Sequence, residues 1–168
     1  MRGKWAAGIV PRHFTWVIAE SLAVSERLGG YGPSHRRVRR QEEIIWVRQQ
    51  GFTRIVSLLA SPHNLHAYEE LDVAYRHVPF GSGDDPATVL GQLYPDLRAQ
   101  LAEGDRLLVH HDELGDRITG TLAGYLVYTG MVPEPHKAIT VIEHLVHRQL
   151  GPLGRELVAV AESLPPPP

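Results

Sequence analysis

The sequence predicts an α/β domain with a short, mostly parallel sheet flanked by helices on both faces. Three observations predict it. Short runs rich in β-branched and apolar residues alternate along the chain with stretches of helical period. Two of the runs, Arg54-Ile-Val-Ser-Leu-Leu59 and the one over 106–110, are apolar nearly throughout, as strands covered on both faces require. The length of 168 residues supports one domain with a real core and is too short for two comfortable ones.

Taken in order, residues 1–12 read as a lead-in, 13–164 as a single domain and 165–168 as a proline tail that cannot join a helix. Phe14-Thr-Trp-Val-Ile18 has strand composition, and Leu22-Ala-Val-Ser25 follows as a second short strand. Gly29 to Pro33 is a loop. Ser34 is placed to cap a helix over 35–50, and Gly51 to end it. The strand from Arg54 precedes a short helix over 62–71 and a strand over 73–80. Pro86 opens a helix over 86–102, and Gly104-Asp105 turns the chain into the strand over 106–110. A buried helix over 118–128, a helix over 134–149 and a last one over 152–163 complete the domain.

Composition narrows the function classes. The formal net charge is −2, which gives no general affinity for polyanions, so no nucleic-acid partner is expected. With no Cys there are no disulfides and no thiolate metal sites, and an intracellular, cytoplasmic protein is the expectation. No apolar run approaches the roughly 18 residues of a membrane span. Pro11-Arg12-His13 interrupts the apolar stretch near the start, which argues against a signal peptide. No cofactor or resident metal is expected.

The chemistry concentrates after the 106–110 strand. In parallel sheets ligands gather at the C-terminal strand ends. Here the strand delivers His110 and a polar loop, His111-Asp112-Glu113-Leu114-Gly115-Asp116-Arg117, to such an end, and a helix follows. A strand, loop and helix in that order make an anion cradle: backbone N–H groups and the positive end of the helix dipole point at one place. Arg117 can grip two oxygens of a tetrahedral anion at once. The seven residues His111 to Arg117 are therefore the candidate anion-binding set, for a phosphate-like anion or a phosphorylated partner, with a protein partner as a further expectation.

The loop resembles the signature of the cysteine-dependent protein phosphatases, His-Cys, five residues, Arg, of the dual-specificity and tyrosine phosphatase kind. Phe14 to Ala23, Gly51 to Leu59, Tyr75 to Phe80, Thr119 to Val127 and Gly130 to Arg148 resemble successive phrases of that family in the correct order. The resemblance covers roughly 14–150. It implies the phosphatase α/β fold, a thiolate nucleophile, a phosphate loop with an arginine, and an aspartate on a second loop as general acid.

The departures fall on the chemistry. The nucleophile position is His111, the glycine three places on is Leu114 with Gly115 one later, and the hydroxyl residue after the arginine is Ile118 with Thr119 one later. An ungapped reading puts Ser82 where the acid would sit, with Asp84 and Asp85 two and three places beyond. Arg117 alone keeps its spacing. A one-residue shift would align Asp112 with the Cys and Gly115 with the glycine, but would misplace Arg117. The reading that follows is a pseudophosphatase: a phosphatase-like domain that binds an anion without thiol chemistry.

An enzyme is the alternative, with His111 as a phosphohistidine-forming nucleophile and Asp84 or Asp85 as proton donor. A metal-assisted site is a variant of it, drawing on His110, His111, Asp112, Glu113 and His77. Asp112, Glu113 and Asp116 oppose an anion if they point inward and are screened if they point outward. In a plainer arrangement His110 bonds the backbone beneath the loop and the acids stabilise the helix start.

Elsewhere, His35-Arg36-Arg37-Val38-Arg39-Arg40 is the one concentrated basic run and reads first as a solvated helix face, offset by Glu42 and Glu43. Trp5, Trp16 and Trp46 read as packing residues. His63, His66, His136, His144 and His147 read as scattered.

Overall fold

A computed structural model describes residues 8–30, 37–62 and 65–168. In chain order the described elements are β1 (Thr15–Ile18), β2 (Leu22–Ser25), α1 (Arg37–Gln49), β3 (Arg54–Ser57), α2 (His66–Glu70), β4 (Tyr75–His77), α3 (Pro86–Ala102), β5 (Leu107–His110), α4 (Asp116–Thr129), α5 (Pro135–Val146) and α6 (Pro152–Ser163). The chain divides into two compact units, Met1–Pro79 with Gly104–Leu114, and Phe80–Glu103 with Gly115–Pro168.

The first unit holds all five strands, α1 and α2. The sheet order is β1-β2-β5-β3-β4. β2, β5, β3 and β4 run parallel, and β1 returns antiparallel on β2, so the sheet is mostly parallel as expected. β5 lies at its centre and is buried along its whole length, as is β2. That explains why the strand before the polar loop reads as an apolar run: each face of it meets protein. The register sets Ser25, His110 and Ser57 in one row at the C-terminal ends of β2, β5 and β3.

One core cluster of this unit gathers Ala23, Leu28, Ile44, Val47, Phe52 and Leu108, with the half-buried Phe14, Trp16 and Trp46 packed against it. The Phe14 ring lies edge-on to Trp46 at 4.9 Å and Trp16 stacks on Phe52 at 5.4 Å, so two of the three tryptophans serve packing. Trp5, Ser34, His35, Arg36 and His63 fall outside the described residues.

β4 is shorter than the strand expected over 73–80. It is the sheet's edge, and the Val78 N–H makes its last ladder bond, to the Ser57 carbonyl at 2.9 Å. Pro79 follows and has no N–H to continue the pairing. β3 ends at Ser57, after which Leu58 N–H turns to the His110 carbonyl at 2.9 Å.

The second unit is four helices, α3 to α6. Asp85 caps α3 with Pro86 in its first turn, and α3 and α6 keep the bounds the sequence predicts. α4 is buried on nearly every side, from Ile118 through Leu126. It crosses α6 so closely that a Cβ on Gly120 would lie 2.6 Å from Gly154 Cα. α5 stops at Val146, three residues before the expected end, because His147 adopts the left-handed conformation (φ 57°) and closes the helix. Among the described residues no helix is long and apolar enough to cross a membrane.

Candidate functional site

The loop after β5 begins in the first unit. His110 is fully buried there, and burial lowers its pKa to about 4, so the ring is neutral at pH 7. Its Nδ1 lies 3.1 Å from the His111 carbonyl, which can only accept, so Nδ1 carries the proton. Nε2 must then accept, and the Tyr68 hydroxyl donates to it at 3.1 Å. Burial also raises the Tyr68 pKa well above the usual phenol range, which keeps that hydroxyl a donor. The β5 end is thus pinned from below by one imidazole with both nitrogens in use.

His111 is half-buried, and its Nδ1 accepts the Asp112 N–H at 2.8 Å. One backbone donor of the loop is therefore taken by the His111 side chain. Asp112 lies 3.4 Å from Arg27 Nη1, and the Arg27 N–H donates to its carbonyl at 3.4 Å. Glu113 is exposed, and Leu114 half-buried.

The same unit holds a buried polar group that reads from sequence only as an offset to the basic run. Glu43 is buried; its Oε2 accepts the Gly29 N–H at 2.9 Å and lies 3.4 Å from Arg39 Nε. Burial raises its pKa against the pull of those two partners. Arg40 is buried as well, and desolvation, with the neighbouring Arg27 charge second, lowers its pKa. Arg39 and Arg40 are thus drawn inward, so the described part of the basic run is not one solvated face. His77 Nε2 donates to the Leu59 carbonyl at 2.7 Å. Among the described residues no group of three or more His, Asp or Glu converges as a metal site.

The loop ends in the second unit. Gly115 is the N-cap of α4 in extended backbone (φ −102°, ψ −169°), and no side chain caps the helix. Asp116 points elsewhere: Oδ1 accepts the Gly151 N–H and Oδ2 the Gly154 N–H, each at 2.6 Å, at the start of α6. Arg117 is half-buried and lies over the Phe80 ring, 4.9 Å from its centroid. Its guanidinium has no hydrogen-bond or ion-pair partner among the described residues. Ile118 is fully buried, which accounts for an apolar residue directly after the arginine, and the Thr119 hydroxyl donates back to the Gly115 carbonyl at 2.8 Å.

The two candidate acids both have local partners. Asp84 Oδ2 accepts the Gly81 N–H at 2.7 Å and closes its own turn. Asp85 Oδ2 accepts the Thr88 N–H at 3.1 Å and hydroxyl at 2.7 Å as the cap of α3. Ser82 is exposed. Of the expected residues, then, Asp112 and Asp116 are each engaged by a partner distant in sequence, and Arg117 by an aromatic ring. Phe80, Gly151, Gly154, Arg27, Tyr68 and Glu43 were missed. Only Glu26-Arg27, charged residues directly after an apolar strand, carried a readable signal, because ligands and polar networks collect at such ends.

No protein-family model matches the sequence, and no curated protein matches it. Solved structures do match its fold. A kinase-associated phosphatase whose catalytic-site cysteine is replaced by serine superposes with a TM-score of 0.75 at 17% identity, covering 89% of this chain and 93% of that one. Tk-PTP in its active form gives 0.70 at 16% identity, over 89% and 96%. Human DUSP28 gives 0.67 at 16% identity, over 92% and 96%. The chain has the fold of the dual-specificity and tyrosine phosphatases, as its sequence phrases suggested, and at these identities the likeness is one of fold.

Proposed function

We propose that this phosphatase-fold chain is a pseudophosphatase: it holds a phosphate-like anion, free or carried by a phosphorylated partner, without the thiol chemistry of the fold's enzymes. The observation that carries the reading is Arg117. It stands in the first turn of a 14-residue helix whose N-terminus no side chain caps, and its guanidinium rests on Phe80 with its donors unclaimed among the described residues. A helix start contributes roughly half a positive charge, and a planar guanidinium adds two parallel donors, so the pair suits a dianion. Asp116, the carboxylate nearest that arginine in sequence, is turned to α6.

The absence of Cys removes the covalent step that the signature implies. Asp84 and Asp85 are occupied as a turn closure and a helix cap, which also favours binding over turnover.

Titration of the full chain with inorganic phosphate and with sulfate tests the reading. Saturable binding is expected, weaker at high salt, and reduced about tenfold or more by Arg117→Ala, the loss of one charge-assisted bidentate pair. Aryl phosphate should not turn over. Turnover that His111→Ala abolishes would replace the binding module with an enzyme, and turnover lost to a chelator would point to the metal-assisted variant. No affinity for either anion would leave an inert loop.

A further inference from the structure

We infer that Asp116 is a positioning residue: by capping α6 it fixes the first turn of α4 and so keeps Arg117 on Phe80. The functional half of this inference rests on the anion-binding reading; the geometric half does not.

α6 begins at Pro152, and its N-cap, Gly151, has no side chain to cap it. Asp116 supplies the cap from another helix, with both carboxylate oxygens in use. The two glycines leave room for that carboxylate. A Cβ at Gly151 would lie 3.2 Å from Asp116 Oδ2, and one at Gly154 would lie 2.9 Å from Oδ1. One helical turn along α4 the backbones of Gly120 and Gly154 meet, so residues 116 and 120, on one face of α4, are both held against α6. Arg117 leaves the same turn in a different direction, toward Phe80.

The arrangement also resolves an electrostatic conflict. A carboxylate beside the anion-binding arginine would repel a dianion. Committed to α6, the charge faces that helix's positive N-terminus and its peptide donors, where it is stabilised.

Asp116→Asn distinguishes this from its rivals because they differ in sign. If Asp116 only repels anions, the substitution tightens phosphate binding. If it only stabilises α6, the chain unfolds more easily, but Arg117 and phosphate affinity stay as they were at temperatures far below unfolding. If it positions Arg117, phosphate binding weakens about tenfold, close to the effect of Arg117→Ala, and the two substitutions together do no more than Arg117→Ala alone.

An independent readout is the NMR shift of the Arg117 side-chain protons, which the current of the Phe80 ring displaces. Asp116→Asn should return them toward ordinary arginine positions. Gly151→Ala, a milder intrusion on the same carboxylate, should move them the same way by less. Unchanged Arg117 resonances in the folded Asp116→Asn chain would overturn the inference, as would equal or tighter phosphate binding. A wild-type chain blind to phosphate would remove the anion reading, while released Arg117 resonances would still uphold the positioning.

Discussion

His110 and Glu43 are two buried groups through which pH acts on this molecule, and they act in opposite directions. The folded pKa of His110, about 4, lies below the roughly 6.5 of an unfolded histidine. Between those values the unfolded chain binds a proton that the folded one refuses. The stabilisation is full above about pH 6.5 and is lost as pH falls toward 4, on the order of 3 kcal/mol in all. Glu43, whose folded pKa is raised by burial, contributes the reverse: it favours the folded state at low pH and loses that contribution as pH rises. The wild-type profile is therefore a sum, and a difference isolates the histidine. Urea midpoints measured from pH 7 to pH 4.5 should fall more steeply in the wild type than in His110→Gln, whose side chain can bond both Tyr68 and the His111 carbonyl without titrating. Parallel profiles would mean that His110 already accepts its proton in the folded state.

At the scale of elements, the crossing of α4 and α6 separates two reasons for a glycine. Gly120 is limited by space: an added methyl would sit 2.6 Å from Gly154 Cα, backbone against backbone, with no flexible side chain to yield. Alanine improves helix propensity by about 1 kcal/mol, yet Gly120→Ala should lower stability by about 2–4 kcal/mol as the helices are forced apart. Gly130 is limited by conformation instead. It closes α4 with φ 79° and has nothing within 4 Å of an added Cβ, so Gly130→Ala should cost only about 1 kcal/mol of left-handed strain. Denaturant titration of the two variants checks the contrast; equal losses would show that α6 moves away from α4 at little expense. Neither helix announced this crossing in sequence. The helices themselves were legible, because period and caps such as Asp85-Pro86 are local, but the cap of α6 is a carboxylate supplied from 35 residues away.

For the whole molecule, the sequence disclosed the mostly parallel sheet, the order of strands and helices, and the place of the loop at the end of β5. Those depend on patterns read a few residues at a time. It did not disclose which loop side chains are spoken for, since Arg27 on Asp112, Phe80 under Arg117 and Tyr68 on His110 are meetings of distant segments. That difference decides what placing a thiol at position 111 would achieve. His111→Cys supplies the thiol that the resemblance expects there and also frees the Asp112 N–H, which the His111 ring now holds at 2.8 Å. Hydrolysis needs more. Asp84 is bonded to Gly81 and Asp85 is the cap of α3, so neither of the two candidate acids is released to protonate a leaving group. His111→Cys should still leave p-nitrophenyl phosphate uncleaved above the rate in buffer. Thiol-dependent turnover in that variant would mean that the 81–85 loop gives up its own hydrogen bonds when substrate binds, and that this fold stands a single residue from catalysis.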